Sequence, residues 1–193
     1  ERIFEHFSRT LGTPVALIES LAFSGHKIAF LSGPRQCGKT TLAKMLLRKR
    51  KVGLYRNWDQ AEFRKAWALN PSAVIPTPQA GEVPLVVLDE IQARPELFAV
   101  LRVLADRPRS GTRFLVLGSA SPDIVRGASE TLAGRVEFVE LGGFHLREAG
   151  AASWERLWLR GGFPRSWLAR SNDDSLAWRE GLIRTFLERD VPQ

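Results

Sequence analysis

The stretch Phe30-Leu31-Ser32-Gly33-Pro34-Arg35-Gln36-Cys37-Gly38-Lys39-Thr40-Thr41-Leu42 constrains this chain more than any other. Gly33, four residues and then Gly38-Lys39-Thr40 complete the pattern of a phosphate-binding loop. Such a loop wraps backbone N–H groups around a phosphate, and glycine permits the close approach and the positive φ that this needs. A helix starting near Lys39 would add its positive end. Lys39 offers a mobile cation for the β- and γ-phosphates, and Thr40 offers a hydroxyl oxygen for Mg²⁺. Gly33, Pro34, Arg35, Gln36, Cys37, Gly38, Lys39, Thr40 and Thr41 are therefore the candidate nucleotide-contacting residues. A plain glycine turn is the rival reading. The flanks favour the loop: Lys27–Ser32 reads as a buried parallel strand, and Thr41–Leu47 is built of helix formers.

Composition narrows the field. A chain of 193 residues with 44% hydrophobic and 25% charged residues fits one globular domain, or one with a small appendage. No apolar run is long enough to span a bilayer, and no signal-peptide pattern opens the chain. It begins at Glu1 without Met, so a longer parent is expected. The single cysteine, Cys37, rules out an intrachain disulfide and points to a reducing cytoplasm. A small side chain packed beneath the loop is the reading preferred to a redox nucleophile. The net charge of +7 permits nucleic-acid contact without establishing it. The dense run Arg48-Lys49-Arg50-Lys51 falls where the first helix should end, and the helix dipole favours cations there.

Taken in order, residues 1–26 read as one or two short helices, with His6 and His26 as surface or packing residues. Val52–Asp59 opens with a second strand, and Asp59 is placed to cap a helix from Gln60 to Leu69. Residues 70–84, with three prolines before Pro84, read as a loop. Leu85-Val86-Val87-Leu88-Asp89-Glu90 is a strand buried on both faces with two carboxylates at its C-terminal end, where open α/β sheets bind ligands. Asp89 can hold Mg²⁺ opposite Thr40, and Glu90 can take a proton from an attacking water. That second acid favours an ATPase over a small-molecule kinase, for which the sequence shows no acceptor site.

A helix follows, with Pro95 near its start and Leu97, Phe98, Leu101 and Leu104 along one face. Arg113–Gly118 is the next apolar strand. Ser119 lies at its tip, where it could bond a γ-phosphate or the attacking water, or belong to a helix-cap cluster with Ser121. A helix to Ala133 and a fifth strand from Val136 to Leu141 come next. Arg135, on the connection between them, reads equally as a surface arginine or as one reaching a neighbouring subunit's γ-phosphate. Beyond Phe144 the pattern is helical: Leu146–Ala152, Trp154–Leu159 and Ser175–Arg189. Four of the six tryptophans fall here, so a small helical subdomain with an aromatic core is expected. Gly161-Gly162-Phe163-Pro164 shapes a turn that could press on an adenine ring or merely link two helices.

Five motifs then line up: Gly-Pro-Arg-Gln-Cys-Gly-Lys-Thr-Thr-Leu at 33–42, Leu-Asp-Glu-Ile-Gln at 88–92, Gly-Ser-Ala-Ser at 118–121, Leu-Ala-Gly-Arg at 132–135 and Gly-Gly-Phe-Pro at 161–164. The set resembles a prokaryotic family of AAA-superfamily ATPases, related to the signal-transducing NTPases with numerous domains. The resemblance covers nearly the whole chain. It implies an α/β P-loop NTPase with a parallel five-stranded sheet in the order 5-1-4-3-2, residues 1–143, and a helical lid, residues 144–193. It implies ATP or ADP with Mg²⁺, Ser119 as a polar sensor, Arg135 as an arginine finger supplied in trans within a homo-oligomer, and Pro164 as an adenine contact. Family members usually continue into a nuclease-like domain, which a chain stopping at Gln193 is expected to lack. The expected function is ATP binding and hydrolysis. A slow-turnover nucleotide switch and a DNA-associated ATPase are the alternatives.

Overall fold

A computed structural model of the 193-residue chain describes residues 18, 27–74, 76, 82–90, 96–106, 111–118, 127–128 and 130–189. The residues fall into two compact units, each described by itself. The larger takes in Pro14–Arg35 and Lys39–Leu141, and the smaller takes in Gly142–Gln193 together with the three loop residues Gln36–Gly38.

Five parallel strands form the larger unit: β1 (Ile28–Ser32), β2 (Gly53–Asn57), β3 (Leu85–Asp89), β4 (Arg113–Gly118) and β5 (Val136–Glu140). Their order is β2-β3-β4-β1-β5, the order that the resemblance implies. The central strands β1 and β3 are buried at every position, as strands covered on both faces must be. The edge strands β2 and β5 carry Tyr55, Arg56, Glu137 and Glu140 and are only partly covered. One face of the sheet presents Ile28, Phe30, Val86, Leu88, Phe114 and Val116. Against them lies α3 (Glu96–Asp106), whose Leu97, Phe98, Leu101 and Leu104 are the apolar stripe that the sequence predicts.

The opposite face carries α1 (Lys39–Arg48), which buries Leu42, Ala43, Met45 and Leu46. Gly53 lets that helix approach edge strand β2: an added Cβ would stand 2.7 Å from Leu47 Cδ2. Arg48 closes the last turn of α1, where a cation is favoured.

Helix α2 (Ala61–Leu69) follows β2 and buries Phe63 and Trp67, which meet Trp58 edge-on. Its N-cap is Gln60, with no side-chain cap, so Asp59 does not take the expected role. Asn57 competes for the same turn: its Oδ1 accepts the Asp59 N–H at 2.8 Å, and Arg64 donates to the carbonyls of Trp58 and Asp59. Within the expected loop at 70–84, Pro71–Val74 forms one 3₁₀ turn. The expectations for residues 1–17 and 19–26, including His6 and His26, and for Pro95, Ser119 and Ser121 lie outside the described residues. So does most of the helix before Ala133, of which residues 127, 128, 130 and 131 are helical.

The smaller unit is helical: α4 (Leu146–Ala149), α5 (Trp154–Arg160), α6 (Pro164–Trp167) and α7 (Asn172–Arg189). Gly150, at φ +86°, ends α4 before the expected Ala152. The last helix starts three residues before the expected Ser175 because Ser171 Oγ accepts the Asp174 N–H at 3.0 Å, an N-cap bond. The expected aromatic core is narrower than the tryptophan count implies. Trp167 is 2% exposed and packs under the Arg156 guanidinium, and Phe163 meets Trp178, but Trp154 and Trp158 are 57% and 88% exposed. Polar clamps hold the rest. Ser166 and Ser175 share a fully buried hydroxyl pair at 2.7 Å, and Arg156 donates to the Trp167 carbonyl at 2.7 Å.

Candidate nucleotide and metal site

All five strands end on the same edge of the sheet, at Ser32, Asn57, Asp89, Gly118 and Glu140. The loop after β1 leaves from that edge and enters α1 at Lys39. Gln36 stands at φ +63° and Gly38 at φ +108°. Left-handed residues within such a turn aim successive N–H groups into one concavity, and that is the geometry that binds anions. Pro34, Arg35 and Gln36 are exposed, whereas Cys37 is 3% exposed beneath them. Lys39 folds back over the loop: its Nζ donates to the carbonyls of Gly33 at 2.7 Å and Pro34 at 2.8 Å.

Thr40 opens α1 and faces the end of β3. Its hydroxyl donates to Asp89 Oδ2 at 3.1 Å across 49 residues of sequence. Asp89 is only 6% exposed. A carboxylate that deep must be hydrogen-bonded, and it is. Its Oδ1 accepts the Glu90 N–H at 3.1 Å, and its Oδ2 accepts a second hydroxyl, that of Tyr55, at 2.5 Å. Tyr55 and Asn57 share the face of β2 that carries Val87 and Asp89 on β3, because Asn57 pairs with Asp89 in the ladder. Lys44, one helical turn beyond Thr40, places its Nζ 5.5 Å from the centre of the Tyr55 ring.

The phenol of Tyr55 is held protonated. Burial is the main cause, and the hydrogen bond to Asp89 and that group's negative charge push the pKa up further. Tyr55 is thus a fixed donor to Asp89. The sequence pattern of this segment predicts a strand followed by a cap at Asp59, with no role for Tyr55. A signal was present: Tyr55 and Asn57 alternate along an edge strand that ends at the ligand edge.

Glu90 follows directly and differs from Asp89 in every respect but charge. It is exposed, and its backbone is left-handed at φ +59°; Gln36 and Glu90 are the non-glycine residues at positive φ among the described ones. The turn at Glu90 breaks the strand alternation, and the residue lies exposed beyond the packed end of β3.

Arg135 lies elsewhere. Its carbonyl accepts the Ile28 N–H, at the start of β1, whereas the loop leaves from Ser32 at the other end. A five-residue strand separates them, ~16 Å at about 3.3 Å per residue. Its guanidinium Nε holds both carboxylate oxygens of Asp106, at 2.8 and 2.9 Å. That pairing holds the Asp106 carboxyl below its ordinary range. Pro164 belongs to the smaller unit, where it is buried at the first position of α6. Gly162 ahead of it is locked to Phe144, whose N–H donates to the Gly162 carbonyl at 2.7 Å.

A parallel sheet in this order, with a glycine-lysine-threonine loop between β1 and α1 and an acid closing β3, defines the α/β fold of P-loop NTPases. Residues 25–150 match the family described as AAA domain, and the chain belongs to that family. Residues 151–193 match a domain of unknown function. An uncharacterized protein of Mycobacterium tuberculosis and one of Mycobacterium bovis are each 48% identical over 166 residues, which is 86% of this chain. The matched segment covers 36% of the length of either relative. AAA-type domains bind nucleotide, typically with Mg²⁺, and this chain is an ATPase-like module. Among the described residues no helix is long and apolar enough to cross a membrane.

Proposed function

We propose that this chain binds ATP with Mg²⁺ and hydrolyses it. The observation that carries the reading is the bond from Thr40 Oγ1 to the buried Asp89 carboxylate. It sets two oxygen ligands suited to a hard cation beside the loop. The residues present therefore fit Mg²⁺, and when bound that ion would neutralise charge on the phosphate oxygens.

The loop amides and Lys39 hold the β- and γ-phosphates. Lys39 reaches them by exchanging its contacts with the Gly33 and Pro34 carbonyls. Glu90 accepts a proton from water as the water oxygen bonds to the γ-phosphorus. The bond to the β–γ bridging oxygen breaks, and ADP leaves with that electron pair. Ser119 orients the water or the γ-phosphate. Arg135 exchanges Asp106 for the γ-phosphate of a second copy. Pro164 contributes the adenine contact. Residues 1–143 serve as the ATPase core and residues 144–193 as the lid, in a reducing cytoplasm.

Mg-ATP calorimetry and phosphate release on the wild type, Lys39→Ala and Glu90→Gln test the reading. Lys39→Ala should lose binding. Glu90→Gln should still bind and turn over about 100- to 10,000-fold more slowly. No heat of binding with folded wild type, and none with Lys39→Ala, would overturn it. Equal turnover in wild type and Glu90→Gln would leave a nucleotide switch in place of an ATPase.

A further inference from the structure

We propose that Tyr55 is a positioning residue for the metal that accompanies the nucleotide: its hydroxyl, together with that of Thr40, fixes the Asp89 carboxylate in the orientation that receives a divalent cation or its bound water. The inference rests on the nucleotide reading above and adds a residue to it.

Asp89 offers about four lone-pair positions on its two oxygens. Thr40 and Tyr55 fill both on Oδ2, and the Glu90 amide takes one on Oδ1. One remains, on Oδ1. The three donors come from α1, from β2 and from the end of β3 itself, so the plane of the carboxylate is set by three separately anchored points. Tyr55 is the shortest of the three contacts, at 2.5 Å. It is also the one that crosses from the neighbouring strand, which is pinned in register by Asn57 opposite Asp89. Groups that orient a metal-binding carboxylate commonly govern metal affinity by 10- to 100-fold, although they never touch the ion.

Tyr55→Phe removes the hydroxyl and keeps the ring beneath Lys44. The test is a Mg²⁺ titration of binding to a fluorescent, non-hydrolysable ATP analogue, with a second binding curve in excess chelator. The half-saturating Mg²⁺ concentration should rise about 10-fold or more in Tyr55→Phe. Affinity for the analogue in chelator should stay within twofold of wild type. A residue that merely supports the fold would weaken both curves together. Lys44→Met is the companion variant, since it removes the cation beside the ring but leaves the hydroxyl and its bond to Asp89; its Mg²⁺ midpoint should match wild type.

The proposal is overturned if Tyr55→Phe leaves the Mg²⁺ midpoint unchanged or lowers it. It is equally overturned if both curves weaken in parallel, or if Lys44→Met shifts the midpoint as far. Should the wild type itself fail to bind the analogue, the underlying nucleotide reading fails first. A wild type that responds to Mg²⁺ beside an identical Tyr55→Phe would sink this inference alone.

Discussion

Replacing Glu90 separates what its side chain does from what its backbone costs. At φ +59° the residue sits where a Cβ crowds the following carbonyl, a penalty of about 1–2 kcal/mol for an ordinary L-residue. Glycine escapes that penalty but gives up about 0.5–1 kcal/mol through the greater freedom of its unfolded chain. Glu90→Gly should therefore be more stable than Glu90→Ala by roughly 0.75 kcal/mol, the difference between the centres of those two ranges. In a chain of this size that is about 1.5–3 °C in thermal midpoint. Both variants lack the carboxylate, so both should lose phosphate release to the same degree. Comparing the two substitutions cancels the lost side-chain interactions of Glu90, which comparison with wild type would not. Differential scanning fluorimetry with a parallel phosphate-release assay reads both quantities. A midpoint for Glu90→Ala equal to or above that of Glu90→Gly would refute the strain argument. Unequal residual turnover would refute the claim that the side chain alone carries the chemistry.

Three further outcomes follow from the packing. Gly162→Ala would drive a Cβ to 2.3 Å from the Phe144 carbonyl oxygen and 2.8 Å from its nitrogen; with only backbone to yield, the smaller unit should lose about 3 kcal/mol or more, seen as an early transition in tryptophan fluorescence. Ser166→Ala strands the fully buried Ser175 hydroxyl and should cost about 1–3 kcal/mol, with Ser166→Ala/Ser175→Ala less destabilised than the sum of the single changes. The Asp106–Arg135 pair depresses the carboxyl below its ordinary 3.8, so its small stabilisation is present above that pH and fades as pH falls through the lowered value. The gap in thermal midpoint between wild type and Asp106→Asn should thus be slight at neutral pH and shrink below about pH 4.

The sheet was legible because its strands are short apolar runs whose ends carry punctuation: a glycine loop after Ser32, two acids after Leu88, glycine at 118. Burial on both faces demands such runs, and parallel neighbours demand crossovers between them, so little freedom remained. The ends of helices were less legible because capping is a competition. Asp59 looked like the cap of α2, but Asn57 captured the Asp59 amide and moved the helix start by one residue. In the smaller unit the clustered tryptophans predict an aromatic core. Trp167 is buried, whereas Trp158 stands at 88% exposure, and side-chain size alone does not say which face of a short helix is covered. Tyr55 escaped for another reason. Its meaning lies in a contact 34 residues away on an adjacent strand, and only the register of β2 on β3 places it there.

Asp89 and Glu90 are neighbouring carboxylates, and their separation into two different surroundings is the work of the backbone. Along a strand successive side chains leave opposite faces. Asp89 ends β3 on the face that carries α1 and the Tyr55 side of β2, so it is drawn into a ring of three donors and held still. A regular continuation would send the next side chain into the opposite layer, where Val86 and Leu88 pack among Phe98 and Leu101. A carboxylate there would be desolvated without a partner, at a cost of several kcal/mol. The left-handed turn at Glu90 avoids that layer and leaves the group at the surface of the ligand edge. Under the proposed function, the buried, hydrogen-bonded acid suits holding a cation, and the exposed one suits exchanging protons with water. The strain at Glu90 is thus the local cost of giving two adjacent carboxylates different surroundings.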